Sequence, residues 1–163
     1  VMYEPGRILK VGGNGKDGNI DSPGSSSATI IDINDLDSGS VNTTETNPMG
    51  SPRHFPDSTV LPDGTVLITG GSSFEDASTV NAVRQVEFWN PSSTTWSTGA
   101  SAQVDRGYLS TATLLPNGAV FTGGGGTAGP GTNFNMEVYF LSFKVFTQLS
   151  NIHSYRTNTV KIQ

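Results

Sequence analysis

Leu61-Pro62-Asp63-Gly64-Thr65-Val66-Leu67-Ile68-Thr69-Gly70-Gly71 is the stretch that decides the fold. Pro presets φ and Gly accepts positive φ, so Pro62-Asp63-Gly64 reads as a tight turn. Val66 to Thr69 is an apolar, β-branched run, and a glycine pair closes it. The device recurs twice. Leu115-Pro116-Asn117-Gly118 leads into Ala119 to Gly124, and Glu4-Pro5-Gly6 leads into Arg7 to Gly13. The glycine pairs open at residues 12, 70 and 123, intervals of 58 and 53 residues. Arg53 and Arg106 repeat 53 apart upstream of the last two. Such a period marks a repeat architecture.

Downstream of each glycine pair comes a loop and another β run: Ala28 to Ile33, Gln85 to Trp89, and Glu137 to Phe140. In the middle unit the turn Asn90-Pro91-Ser92-Ser93 precedes a fourth run, Thr94 to Ser97. One unit is therefore four short strands joined by turns, with no helical periodicity. A four-stranded unit of about 50 residues matches the kelch period. The expected fold is all-β: about three four-stranded kelch-type blades of a β-propeller. Residues 1–46 read as a partial blade lacking most of its first strand. Residues 47–104 read as a complete blade and 105–141 as a partial one. Residues 142–163 read as an irregular tail, with Lys144 to Gln148 offering an outer strand. Trp96 is expected to pack between adjacent blades. A closed propeller needs about four to eight blades, so the chain is expected to be completed by remaining blades or by another copy of itself.

Composition narrows the function. The 163 residues suit about one domain. Charged residues are only 14%, and the net charge is −5, so no basic patch serves nucleic acid or an anionic membrane. No apolar stretch approaches the roughly 18 residues of a spanning helix. Val1 to Pro5 has neither the basic start nor the apolar run of a signal peptide. With no cysteine, disulfides and thiolate chemistry are excluded within the chain.

Pro52-Arg53-His54-Phe55 with Leu61-Pro62-Asp63-Gly64, and Arg106-Gly107-Tyr108-Leu109-Ser110 with Leu114 to Gly118 and Gly123 to Gly126, carry a resemblance. Together with Val1 to Leu9, they resemble the galactose oxidase and glyoxal oxidase family of copper-radical oxidases over about residues 1–140. The resemblance implies the last three blades of a seven-bladed propeller. It implies oxidation of a primary alcohol or aldehyde by O₂, giving H₂O₂, at one copper and a protein radical, outside the cell or in the cell wall. Tyr108 resembles the family's axial copper-ligand tyrosine. Leu109 stands where the adjacent histidine ligand belongs, and an aliphatic side chain offers copper no lone pair. The resemblance thus implies a chain that builds no working copper site alone.

A second reading is a non-catalytic extracellular carbohydrate-binding or structural module. Trp89 and Tyr108 are its candidate stacking aromatics, and Arg53 and Arg106 are candidate contacts for a sugar hydroxyl or carboxylate. The arginines' repeated position is more usually structural, tying neighbouring loops together by hydrogen bonds. Asp57, Asp63, Asp76 and Asp105 read as local turn and strand-entry groups. Asp105 is expected to pair with Arg106 or to cap the strand entry. Gly123 to Gly131 lacks the ending and the helix of a phosphate loop. Asp17 to Asp21 and Asn34 to Asp37 lack a calcium loop's spacing. Asn42-Thr43-Thr44 is a glycosylation sequon, meaningful in a secreted protein.

Overall fold

A computed structural model describes residues 1–13, 23–74, 81–126, 133–141 and 160–162. These residues form three four-stranded antiparallel sheets, each with its strands side by side in chain order. The first holds β1 (Met2–Glu4), β2 (Arg7–Val11), β3 (Ala28–Asp32) and β4 (Asn42–Thr46). The second holds β5 (Asp57–Val60), β6 (Val66–Thr69), β7 (Gln85–Asn90) and β8 (Thr95–Ser101). The third holds β9 (Ser110–Leu114), β10 (Val120–Gly124), β11 (Met136–Tyr139) and β12 (Val160–Ile162). The fold is all-β, and the described residues include a short 3-10 turn, Leu36–Ser38.

The first strand of the first sheet, β1, is three residues long. The outer strand of the third sheet is Val160–Ile162, within the stretch read as irregular, and it pairs Val138 with Val160 and Met136 with Ile162. Lys144 to Gln148 lies outside the described residues.

The turn that decides the fold closes as its residues dictate. Gly64 N donates to Leu61 O (2.9 Å), and Leu61 N to Thr65 O (2.8 Å). Gly118 and Leu115 repeat this pattern at 2.9 and 2.8 Å. Gly64 and Gly118 take φ of 83° and 82°, the left-handed region a side chain disfavours. Asp63 and Asn117 accept from Thr65 N and Ala119 N, mimicking a backbone turn.

The middle sheet is sandwiched, which explains why all four residues of β6 are buried. Side chains alternate faces along a strand. Val66, Ile68 and Trp89 therefore meet Tyr3, Leu9 and Ala28 of the first unit, and Met49 of the connection between the two sheets. Leu67, Val86 and Phe88 meet Val120 and Tyr139 of the third. Tyr3 and Trp89 pack edge to face at 5.0 Å, an arrangement favoured by the ring quadrupoles. Trp96 packs against the same cluster as expected, and its Nε1 donates to Asn47 O across the joint (2.6 Å).

The glycine pairs make the joints. Gly13 N donates to Arg53 O (2.8 Å), and Gly71 N to Arg106 O (2.6 Å). A Cβ on Gly12 or Gly70 would lie 2.6 Å from those same carbonyl oxygens. Close main-chain approach is the reason for glycine here.

Candidate functional site

Each joint carries a buried arginine and glutamate. Arg53 enters ahead of β5 and is 0% exposed. Its Nη1 donates to Gly70 O (2.7 Å), and its Nη2 to Gln85 O (2.5 Å) and Glu87 Oε1 (2.8 Å). Glu87, on β7, also accepts from Gly50 N (2.7 Å) and Ser51 N (3.2 Å). One repeat later, Glu137 accepts from Gln103 N (2.8 Å) and Val104 N (3.2 Å). Arg106 is 2% exposed, and its Nη1 donates to Gly124 O (3.0 Å) and Asn135 Oδ1 (2.8 Å). Burial pulls both guanidinium groups below their ordinary pKa, opposed in each case by the neighbouring glutamate.

Arg53, Arg106 and Trp89, named from the sequence as candidate ligand contacts, are all buried. The arginines' donors go to loop carbonyls and their neighbours, and Trp89 fills the core. Asp105 pairs with Arg84 (2.6 Å) rather than with its neighbour Arg106. Glu87 and Glu137 are functional to the architecture and were missed. Their signal is a glutamate recurring on the third strand of successive units, in Gln85-Val86-Glu87-Phe88 and Met136-Glu137-Val138-Tyr139.

The surface feature lies where β5 and β9 begin. Phe55 and Leu109 adopt φ of 48° and 61°. That region costs a non-glycine residue about 1–2 kcal/mol, and such strain clusters at functional sites. Leu109 is 69% exposed and Phe55 41% exposed. Phe55 packs edge-on against half-buried Tyr108, with ring centroids 5.1 Å apart. His54 tilts against Phe55 at 6.0 Å. Beneath them Ser110 Oγ donates to Asp57 Oδ2 (2.6 Å), tying the two innermost strands. Burial pushes the Asp57 carboxyl above its ordinary value, opposed by the Ser110 hydroxyl and the Arg106 charge.

This donor set does not fit copper. Imidazole and phenolate suit that ion. Tyr108 offers one oxygen beside the wholly aliphatic Leu109. Among the described residues no three His, Asp or Glu side chains gather as a metal group. His54 is buried, and His153 lies outside the described residues, as do Asp76 and Asp17 to Asp21. Asn42 opens β4 and is exposed. A separate open groove of about 620 Å³ runs between β8 and Tyr139. Its one carboxylate, Asp63, is committed to its own turn. Among the described residues no helix is long and apolar enough to cross a membrane.

No family model matches the chain. Two galactose oxidase sequences of Gibberella zeae, one from strain PH-1, are each 33% identical to it over 147 residues. That alignment covers 85% of this chain and 21% of the relative, so the chain spans about a fifth of the length of the curated relatives it matches. Among solved structures, a fungal alcohol oxidase of the AA5 family in complex with copper superposes with a TM-score of 0.74 at 24% identity. The superposition covers 85% of this chain and 29% of that one, and it shows the shared fold. Over the aligned span, the chain is a homologue of galactose oxidase.

Proposed function

We propose that this chain is a kelch-type propeller segment of a secreted, galactose-oxidase-like protein, and that on its own it performs no copper-dependent oxidation. One observation carries the second half: the position after Tyr108 holds an exposed leucine where the family resemblance calls for a histidine. The repeated joints support the first half. The pairs Gly12-Gly13 and Gly70-Gly71 each hand a main-chain hydrogen bond to the next unit, and Gly124-Gly125, one residue on from the pair opening at Gly123, stands where the same hand-over would reach a further blade. Further blades on both sides would give the chain the closure a propeller needs.

The test is copper loading. The chain, and a Leu109→His variant, are dialysed against Cu(II), and bound metal and H₂O₂ production from galactose and methylglyoxal are measured. Expected is sub-stoichiometric copper and no turnover for the chain, with higher copper affinity for the variant. Stoichiometric copper with turnover in the unsubstituted chain would overturn the reading.

The exposed Phe55 ring beside Tyr108 favours a second role, stacking on the apolar face of a pyranose. Aromatic faces and sugar C–H groups associate through burial and dispersion. Titration with galactose while following Tyr108 ring resonances tests it, and unmoved resonances at high sugar concentration would remove it.

A further inference from the structure

The two buried arginine–glutamate pairs occupy matching places but are built differently. Arg53 Nη2 lies 2.8 Å from Glu87 Oε1, a direct ion pair. Arg106 Nη2 stops 4.0 Å short of Glu137 Oε2. Its guanidinium is turned so that Nη1 makes both hydrogen bonds, to Gly124 O and Asn135 Oδ1. In the earlier repeat those duties are shared between Nη1 and Nη2. Arg106 Nη2 is thereby buried with no hydrogen-bond partner; Arg106 Nε and Thr69 Oγ1 are buried without one too, as is Arg53 Nε at the earlier joint. Arg106 and Thr69 line a cavity of about 20 Å³ between the middle and third sheets, together with Val86, Thr122 and Glu137.

We infer that this cavity is a binding site for one structural water molecule, which bridges Arg106 Nη2 to Glu137 Oε2 and Thr69 Oγ1. Three arguments converge. A water needs roughly 10–15 Å³ of such space and two to four polar partners, and the cavity supplies both. A charge pair separated by more than about 3.5 Å is the geometry a bridging water spans. The lining charges cancel, one guanidinium against one carboxylate, so the site favours a neutral donor–acceptor over a bare ion. Water both accepts from the arginine and donates to the carboxylate within that volume. The joint between the second and third sheets is therefore wet, whereas Arg53 reaches its partner directly at the joint before it.

The test needs no substitution. A crystal structure at a resolution that shows ordered water should hold a peak within hydrogen-bond distance of Arg106 Nη2, Glu137 Oε2 and Thr69 Oγ1. In solution, Arg106 Hε should show a cross-relaxation peak to a water resident far longer than surface hydration. A cavity without density, or Arg106 closed to a direct contact of about 2.8 Å with Glu137, overturns the inference. A Thr69→Val variant adds a second readout. It removes one partner at nearly constant volume, and the cross-peak should weaken while the Gln103 and Val104 amides, held by Glu137, keep their shifts. An unchanged cross-peak would place the water elsewhere.

Discussion

Replacing Arg53 by methionine isolates what the buried ion pair contributes. Methionine refills much of the arginine stem but donates nothing. Three hydrogen bonds go: those to Gly70 O, Gln85 O and Glu87 Oε1. Glu87 keeps its bonds from Gly50 and Ser51 but stays buried without its cation. Removing one partner of a buried pair costs about 3–5 kcal/mol, because the survivor remains desolvated. The same change at Arg106 removes two bonds and an ion contact already stretched to 4.0 Å. That loss should be smaller by about one charged hydrogen bond, roughly 1.5–3 kcal/mol. Equilibrium urea unfolding of the two single variants measures the difference, provided the m-value is unchanged. Adding Glu87→Gln to Arg53→Met should recover part of the loss by neutralising the stranded carboxylate. Equal costs at the two arginines, or a cost below about 1 kcal/mol at Arg53, would refute the reasoning.

Asp57 makes a pH prediction. Its folded pKa is raised, so the folded state holds that proton over a window above 3.8 in which the unfolded chain has released it. Its contribution to stability is present at acid pH and is lost as pH rises through that window. Asp57→Asn keeps an acceptor for Ser110, and the variant's urea midpoint should gain on the wild type between acid and neutral pH; a falling difference would reverse the assignment. Gly99→Ala would place a Cβ 2.3 Å from the Tyr139 hydroxyl and 2.6 Å from the Phe88 ring. Overpacking of that kind costs about 1–3 kcal/mol by thermal unfolding, and a neutral result would mean the groove beside it yields freely. Leu109→Gly relieves a left-handed backbone at an exposed side chain, so stability should hold or rise by up to about 1 kcal/mol; a clear loss would show that the leucine is packed. Expression through a secretory pathway should add an N-glycan that Asn42→Gln abolishes, seen as a mass shift on glycosidase treatment.

Much of the architecture was legible because it is local. Turns, glycine pairs and two-residue alternation each sit within a few positions of their cause, so Pro62-Asp63-Gly64 and Pro116-Asn117-Gly118 announced their hairpins. The burial of Arg53, Arg106 and Trp89 was not legible. Trp89 and Phe88 alternate, which suggests one inward face. Both are packed because the second sheet has neighbours on each side. Likewise an arginine ahead of an inner strand looks like a surface group until its glutamate arrives from a strand some 34 residues later. Partners at that separation leave only a weak periodic trace, here the recurrence of Glu87 and Glu137. The Phe55 and Leu109 backbone conformations left no trace, since neither residue type favours the region it occupies.

The hydrogen bonds from Gly13 and Gly71 to the next unit's carbonyl oxygens come from atoms every amino acid shares. Assembly at those corners therefore depends on the missing side chains of Gly12 and Gly70 rather than on any particular side chain. A lineage built on such couplings can exchange an exposed residue such as Leu109 and still inherit an intact scaffold. Catalysis and architecture are thereby free to drift at separate rates.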